Sequence, residues 1–233
     1  MLFRSTKSHT ALVELEGVIA AGEKASADNV VTGLRDAFED KHTKAVVLRI
    51  NSPGGSPVQS SDIHKEILRL REKYPDIPLY AVVSDICASG GYFVASAADK
   101  IYVNESSVIG SIGVLINGFG FVDTIHELGI ERRLMTAGEH KGILDPFTPL
   151  SEFDKAHVAG LLEDLHANFI DAVKTGRGDR LKGDDATLFS GLFWDGNDGI
   201  QLGLADAIGS AGYVAREVVG AEDLVDFTAK EDP

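Results

Sequence analysis

Apolar and polar residues change period several times along this chain, and the changes mark out its elements. Thr10 to Leu15 is a short apolar run that predicts a strand. After the turn near Gly22, Ser26 predicts an N-cap for a helix whose apolar positions Val30, Val31, Leu34 and Phe38 recur at helical spacing. Lys44 to Ile50 predicts a buried strand, broken by Asn51-Ser52-Pro53-Gly54-Gly55. A second helix follows, with Ile63, Ile67 and Leu70 inward and Lys65, Glu66, Arg69, Arg71, Glu72 and Lys73 outward, and Pro75 and Pro78 end it. Leu79 to Val83 reads as a strand, Ser89 to Ala98 as a small-residue helix, and Ile101 to Val103 and Ile112 to Ile116 as two more strands. This alternation through the first 135 residues predicts an α/β fold wound from repeated β-α-β units.

Beyond Gly138 the pattern changes. Lys141 to Leu150 contains two prolines, and Ser151-x-x-Asp154 opens a long helix, about 151–175, with Leu161, Leu162, Leu165 and Phe169 inward. Asp195-Gly196, Leu202-Gly203-Leu204 and Gly209 suggest short turns around a further helix, followed by an acidic tail. The expectation is one domain over 10–209, with the long helix as an extension and flexible termini at 1–9 and 221–233.

Composition narrows the function. The 233 residues carry 22 Lys and Arg against 36 Asp and Glu, a formal charge of −14. That excess of acid argues against a nucleic acid as partner, and against an anionic membrane surface, because both need clustered Lys and Arg. No apolar run reaches the ~20 residues of a membrane helix, and the nearest stretch, Ser106 to Val122, is broken by four glycines. The start, Met1-Leu2-Phe3-Arg4, is too short and too polar beyond Phe3 for a signal peptide, so the chain as given reads as soluble. Cys87 is the one cysteine, and there is no Cys/His cluster with metal-ligand spacing, so neither a metal nor a cofactor is expected.

Ala88-Ser89-Gly90-Gly91-Tyr92 falls at a strand-to-helix junction, where a serine hydroxyl stands beside outward-pointing backbone N–H groups. The plain alternative is that Ser89 only caps the helix and the glycines only permit close packing. Ser52-Pro53-Gly54-Gly55 also follows a strand, and two such loops at one sheet edge can form an oxyanion hole, with one donor from Gly54 and one from Gly90. A nucleophilic serine needs a base. Among the histidines after Ser89, His126, His157 and His166 fall in polar helical contexts, which leaves His140 and its neighbour Lys141, a lysine between glycine-bearing turns and the apolar pair Ile143-Leu144. Such a lysine can lose solvent and act as a neutral base; a solvated surface charge is the ordinary alternative.

Five motifs then stand in order: Asn51-Ser-Pro-Gly-Gly55, Ala88-Ser-Gly-Gly-Tyr92, Ala97-Ala-Asp-Lys-Ile101, Gly110-Ser-Ile-Gly-Val114 and Gly138-x-x-Lys141. Together they resemble the signal peptide peptidase A family of serine proteases and its SohB-type relatives, from about Thr10 to Gly209. The resemblance implies a crotonase-like fold related to the Clp protease, Ser89 as nucleophile, Lys141 as general base, Gly54 and Gly90 as oxyanion donors, and Ser111 as a contact of the lysine. It also implies peptide substrates such as cleaved signal peptides, and a setting at the bacterial cytoplasmic membrane, although no anchor is present here. Larger members carry two copies of the domain, so a one-copy chain is expected to form a homo-oligomeric ring with shared active sites. Three rivals stay open: a crotonase-type acyl-CoA enzyme, a hydrolase using His140 or His126 as base, and a scaffold that has lost catalysis.

Overall fold

The computed structural model describes residues 7–229. The expected flexibility of residues 1–6 and 230–233 therefore lies outside the described residues. By its internal contacts the chain divides into two units, one made of residues up to Gly113 together with those from Phe169 onward, the other of Val114–Asn168.

The first unit is built on a sheet whose strands are β1 (His9–Glu16), β2 (Thr43–Ser52), β3 (Leu79–Ala88), β4 (Lys100–Val103), β5 (Val108–Gly110), β6 (Phe193–Trp194), β7 (Ala207–Ile208) and β8 (Leu224–Asp226). Its path runs β6-β5-β3-β2-β1-β8, with β4 and then β7 leading off β3. Every pairing is parallel except β5 with β6. The branch arises because β3 is longer than its hydrophobic run: Tyr80–Val82 pair with β4, and Ile86–Ala88 pair with β5. The extra length carries the strand directly to Ser89.

Helices α1 (Ala27–Glu39), α2 (Pro57–Lys73) and α3 (Gly90–Ala95) connect successive strands. Ser26 caps α1 by accepting from the Asn29 N–H, and Ser56 does the same for α2 from Gln59. Alternate strand residues face these helices in one large core that includes Val13, Leu48, Ala81 and Ile101 with Leu34, Ile63 and Ile67. The opposite face holds a smaller cluster of Leu12, Val47, Val82 and Tyr102 under Ala211 and Val214. Both faces are thus covered over part of the sheet, the usual condition of parallel strands.

Several expectations need correction. No strand spans 112–116; β5 ends at Gly110, where φ of 110° at Gly110 and 53° at Ser111 turn the chain out of the sheet. The small-residue helix begins after Ser89 and stops at Ala95. Residues 221–229 are no loose tail: β8 pairs with β1, and Phe227 is buried against His9. At the other terminus, His9 already opens β1 and is fully buried.

The second unit contains α4 (Val122–Glu127) and the start of α5 (Glu152–Arg177), with residues 169–177 of α5 counted in the first unit. Ser151 and Asp154 cap α5 reciprocally, Ser151 N–H to Asp154 Oδ2 at 3.2 Å and Asp154 N–H to Ser151 Oγ at 3.0 Å. Phe169 is buried as expected, but Leu161 is 47% exposed. Indeed no residue between 114 and 168 is buried.

Candidate active site

Ser89 occupies the corner between β3 and α3 with φ 50° and ψ −122°, a backbone that L-residues rarely adopt. Its N–H continues the ladder by donating to Gly110 O at 2.9 Å, and its carbonyl accepts from Phe93 N–H at 2.9 Å. Ser89 sits at the capping position, yet its hydroxyl makes no capping hydrogen bond. The backbone is strained and the side chain is left uncommitted, which is the opposite of what a cap would require. A sharp strand-to-helix turn of this kind lifts a serine Oγ clear of the sheet.

The glycine loop after β2 lies against this corner. A Cβ built on Gly54 would fall 2.6 Å from the Gly90 nitrogen and 2.8 Å from Ser89 Cβ, so only glycine allows the approach. Gly90 is equally constrained, because a Cβ there would strike Ser60 Oγ. Ser60 is fully buried and donates to Ser56 O at 2.9 Å. As the first residue of α3, Gly90 has an N–H with no intrahelical acceptor.

The Gly54 N–H behaves differently from the expectation. It donates to Ser52 Oγ at 3.1 Å, a buried bond, and is therefore occupied. Its neighbour Gly55 is bridged in parallel to Ile19, with Ile19 N–H donating to Gly54 O and Ser56 N–H to Ile19 O, both by the backbone. That pattern uses the groups flanking Gly55 and turns its own N–H away from Ile19. The Gly55 nitrogen lies 3.2 Å from where a Gly90 Cβ would stand. The N–H groups in this loop pair that make no hydrogen bond here are those of Gly55 and Gly90. The sequence carried no sign that Gly55 is bridged to Ile19, which is remote in the chain.

Ser111 has φ 53°, and its N–H donates to Leu192 O at 2.7 Å. It follows Gly110, whose carbonyl holds Ser89, so the two serines belong to one connected stretch of backbone. Cys87, two residues before Ser89, is fully buried, and burial pushes its thiol pKa up, so it offers no competing thiolate.

Lys141 belongs to the second unit, in a turn where its N–H donates to Gly138 O at 3.1 Å. The side chain is exposed in the single chain rather than desolvated, and it forms no ion pair among the described residues. The adjacent His140 is stacked on Phe153 with ring centroids 4.1 Å apart, and Phe153 in turn stacks with His157. The first unit therefore gathers Ser89, Gly54, Gly90 and the Gly110-Ser111 turn. The lysine comes from the second. No group of three or more potential metal ligands exists among the described residues.

An uncommitted serine on a strained strand-to-helix corner, with unclaimed N–H groups beside it, is equipped for acyl transfer. The family model of Peptidase family S49 matches residues 71–224, and the chain belongs to this family of serine proteases. It is 41% identical over 94% of its length to a Brucella abortus protein named Na(+)/H(+) antiporter NhaA. It is 30% identical over 93% of its length to a putative signal peptide peptidase SppA of Enterococcus faecium, and 30% identical over 98% to a putative protease of Synechocystis. The chain spans 30% of the first relative's length, 62% of the second's and 81% of the third's. Among the described residues no helix is long and apolar enough to cross a membrane.

Proposed function

We propose that the chain is a Ser-Lys endopeptidase that cleaves unstructured, apolar peptides, with its active site completed between copies of the chain. The observation that carries the reading is the Ser89 corner: a strained backbone, a hydroxyl with no structural duty and two adjacent unclaimed N–H groups. In the proposed reaction neutral Lys141 removes the Ser89 proton, and Oγ attacks the peptide carbonyl. The Gly55 and Gly90 N–H groups hold the oxyanion. Protonated Lys141 then delivers its proton to the departing amine. Water, deprotonated by the same lysine, cleaves the acyl-enzyme and frees the acid.

The second unit supports the oligomer. Leu115, Phe119 and Met135 are 77%, 79% and 93% exposed, and nothing between 114 and 168 is buried, so this surface lacks cover that a second copy would supply. The unit has nine acidic against four basic residues, which disfavours an anionic lipid surface as that cover. A repeated head-to-tail contact that brings Lys141 of one copy to Ser89 of the next closes into a ring. The β-α-β winding is compatible with a crotonase or Clp-protease type of fold. Similarity to a protein named as a putative signal peptide peptidase favours cleaved signal peptides as substrates.

The test is a covalent label on Ser89 from a peptidyl phosphonate, together with hydrolysis of an unstructured apolar peptide by wild type, Ser89→Ala, Lys141→Ala and co-refolded mixtures of the two variants. Each variant alone is expected to be inactive, mixtures to regain part of the activity, and the wild-type rate to rise from neutral to alkaline pH. An active Ser89→Ala enzyme would remove the nucleophile. A rise centred near pH 6–7 would favour a histidine base instead.

A further inference from the structure

We infer that Ser52 is a positioning residue, whose buried hydroxyl decides which of two adjacent glycine N–H groups faces the scissile carbonyl. This inference rests on the peptidase reading above. Ser52 closes β2, is 0% exposed, and stands where β2 and β3 slip register, so that it pairs with Cys87 after Ile50 has paired with Val83. From there its Oγ accepts the Gly54 N–H at 3.1 Å.

The consequence follows from peptide geometry. With the Gly54 N–H drawn inward to Ser52, and Gly54 O and Ser56 N–H both tied to Ile19, the intervening Gly55 N–H has only the outward direction left. Two consecutive glycines resist reorientation weakly, because neither carries a Cβ to exclude alternative backbone angles. Gly54 has φ 99° and Gly55 155°, so the loop needs an external constraint to keep one arrangement. Removing the hydroxyl would leave a buried N–H without a partner, and rotation of the 53–54 peptide would relieve it. That rotation disturbs the Gly55 orientation as well.

Ser52 also touches the element that carries the second donor. A Cβ on Gly91 would meet Ser52 O at 3.0 Å and Ser52 Cβ at 3.4 Å, so α3 rests directly on this residue. One small side chain thus fixes the glycine loop and its distance from Gly90. Serine has the volume to lie beneath Gly91 and the lone pair to hold Gly54; alanine has only the first.

The test compares Ser52→Ala and Ser52→Thr with wild type on an unstructured fluorogenic peptide, and measures inhibition by a peptide aldehyde whose tetrahedral adduct places an oxyanion in the hole. Direct loss of an oxyanion donor costs about 10²–10³ in kcat, so loss of its positioner should cost Ser52→Ala about 10–100-fold in kcat, with KM changed less than about twofold. Aldehyde affinity should fall by a similar factor, and Ser52→Thr, which keeps the hydroxyl, should restore most of both. Wild-type kcat in Ser52→Ala, or a loss expressed equally in folded Ser52→Thr, would overturn the assignment. Should Ser52→Ala fail to fold, or should the wild type cleave no peptide and the peptidase reading fall, amide exchange in the wild-type protein still decides. A slow Gly54 N–H beside a fast Gly55 N–H supports the assignment, and equally fast exchange at both refutes it.

Discussion

The two units of this chain treat their apolar residues in opposite ways. In the first, strand residues such as Leu15, Leu48 and Ile101 are completely buried beneath α1, α2 and α3, and even Arg177 is buried, held by two bonds to Asp206 and one to Gly203 O. In the second, Phe119, Phe121 and Phe147 form a small ring cluster, with Arg132 over Phe147 and paired to Asp145, but every side chain keeps contact with solvent. The proposed nucleophile belongs to the first and the proposed base to the second. A packed unit can hold Ser89 in a strained conformation, whereas the unit that carries Lys141 buries none of its residues. The lesson is that catalysis would depend on concentration through Lys141, not through Ser89.

The largest expected effect comes from attacking the uncovered surface. Replacing Leu115, Phe119 and Met135 together by serine removes exposed apolar area without touching any buried residue. Light scattering of the variant should show the proposed oligomer dissociated, with all measurable peptidase activity lost, while the first unit keeps its unfolding midpoint. An intact oligomer with full activity would break the contrast between the units. A collapse of the first unit would equally break it, from the other side.

How far the sequence reveals these two behaviours differs between them. Period and the capping residue Ser26 located the first helices and the strands that join them, because Ser26 and the Val/Ile/Leu runs act locally; that Ser56 caps α2 was visible only in the structure. The Ser89 corner was legible as a strand-to-helix junction. Its backbone strain was not, since that follows from the ladder to Gly110 and the approach of Gly54. The absence of a strand at 112–116 was hidden for a related reason: Ile112, Val114 and Ile116 have strand-forming side chains, but the turn at Gly110-Ser111 is set by pairing with Leu192, far along the chain. In the second unit, helical spacing correctly announced α5 but wrongly turned Leu161 inward. Spacing reports that a face is apolar, not which chain covers it.

A smaller effect, confined to the first unit, concerns acid. His64 on α2 is buried against Phe93, its Nε2 has no hydrogen-bond partner, and burial, with Lys65 adding to it, lowers its pKa to about 4. The folded form thus resists a proton that the unfolded chain accepts near pH 6.5, so stability is lost as pH falls from about 6.5 to about 4, by roughly 3 kcal/mol in all. Glu66, held by Arg69 and Arg35 to a pKa of about 2, contributes a separate loss that sets in as pH falls through the ordinary value of 4.5 and continues toward pH 2. Urea unfolding of wild type and His64→Leu at pH 7, 5 and 4 separates them. The variant should be nearly flat over this window. A wild-type curve that is itself flat down to pH 5 would show that His64 gains its proton without cost.

The smallest effect sharpens the comparison most finely, because one substitution is made in both halves of a single helix. Gly176 and Gly160 both lie in α5, but a Cβ on Gly176 would collide with Ser96 O, whereas a Cβ on Gly160 meets nothing within 4 Å. In a helix interior alanine is favoured over glycine by about 0.5–1 kcal/mol, since glycine has more backbone freedom to lose. Gly160→Ala should therefore raise stability by about that amount in chemical unfolding, whereas Gly176→Ala must displace backbone and should destabilise. The sign at Gly160 also bears on the cover proposed for the second unit. A stabilised variant with an unchanged oligomer would show that the Gly160 side of α5 remains open in the assembly. If Gly160→Ala instead dissociates the oligomer, the covering copy comes within van der Waals contact of that glycine, and the space that is empty in one chain is filled by the next.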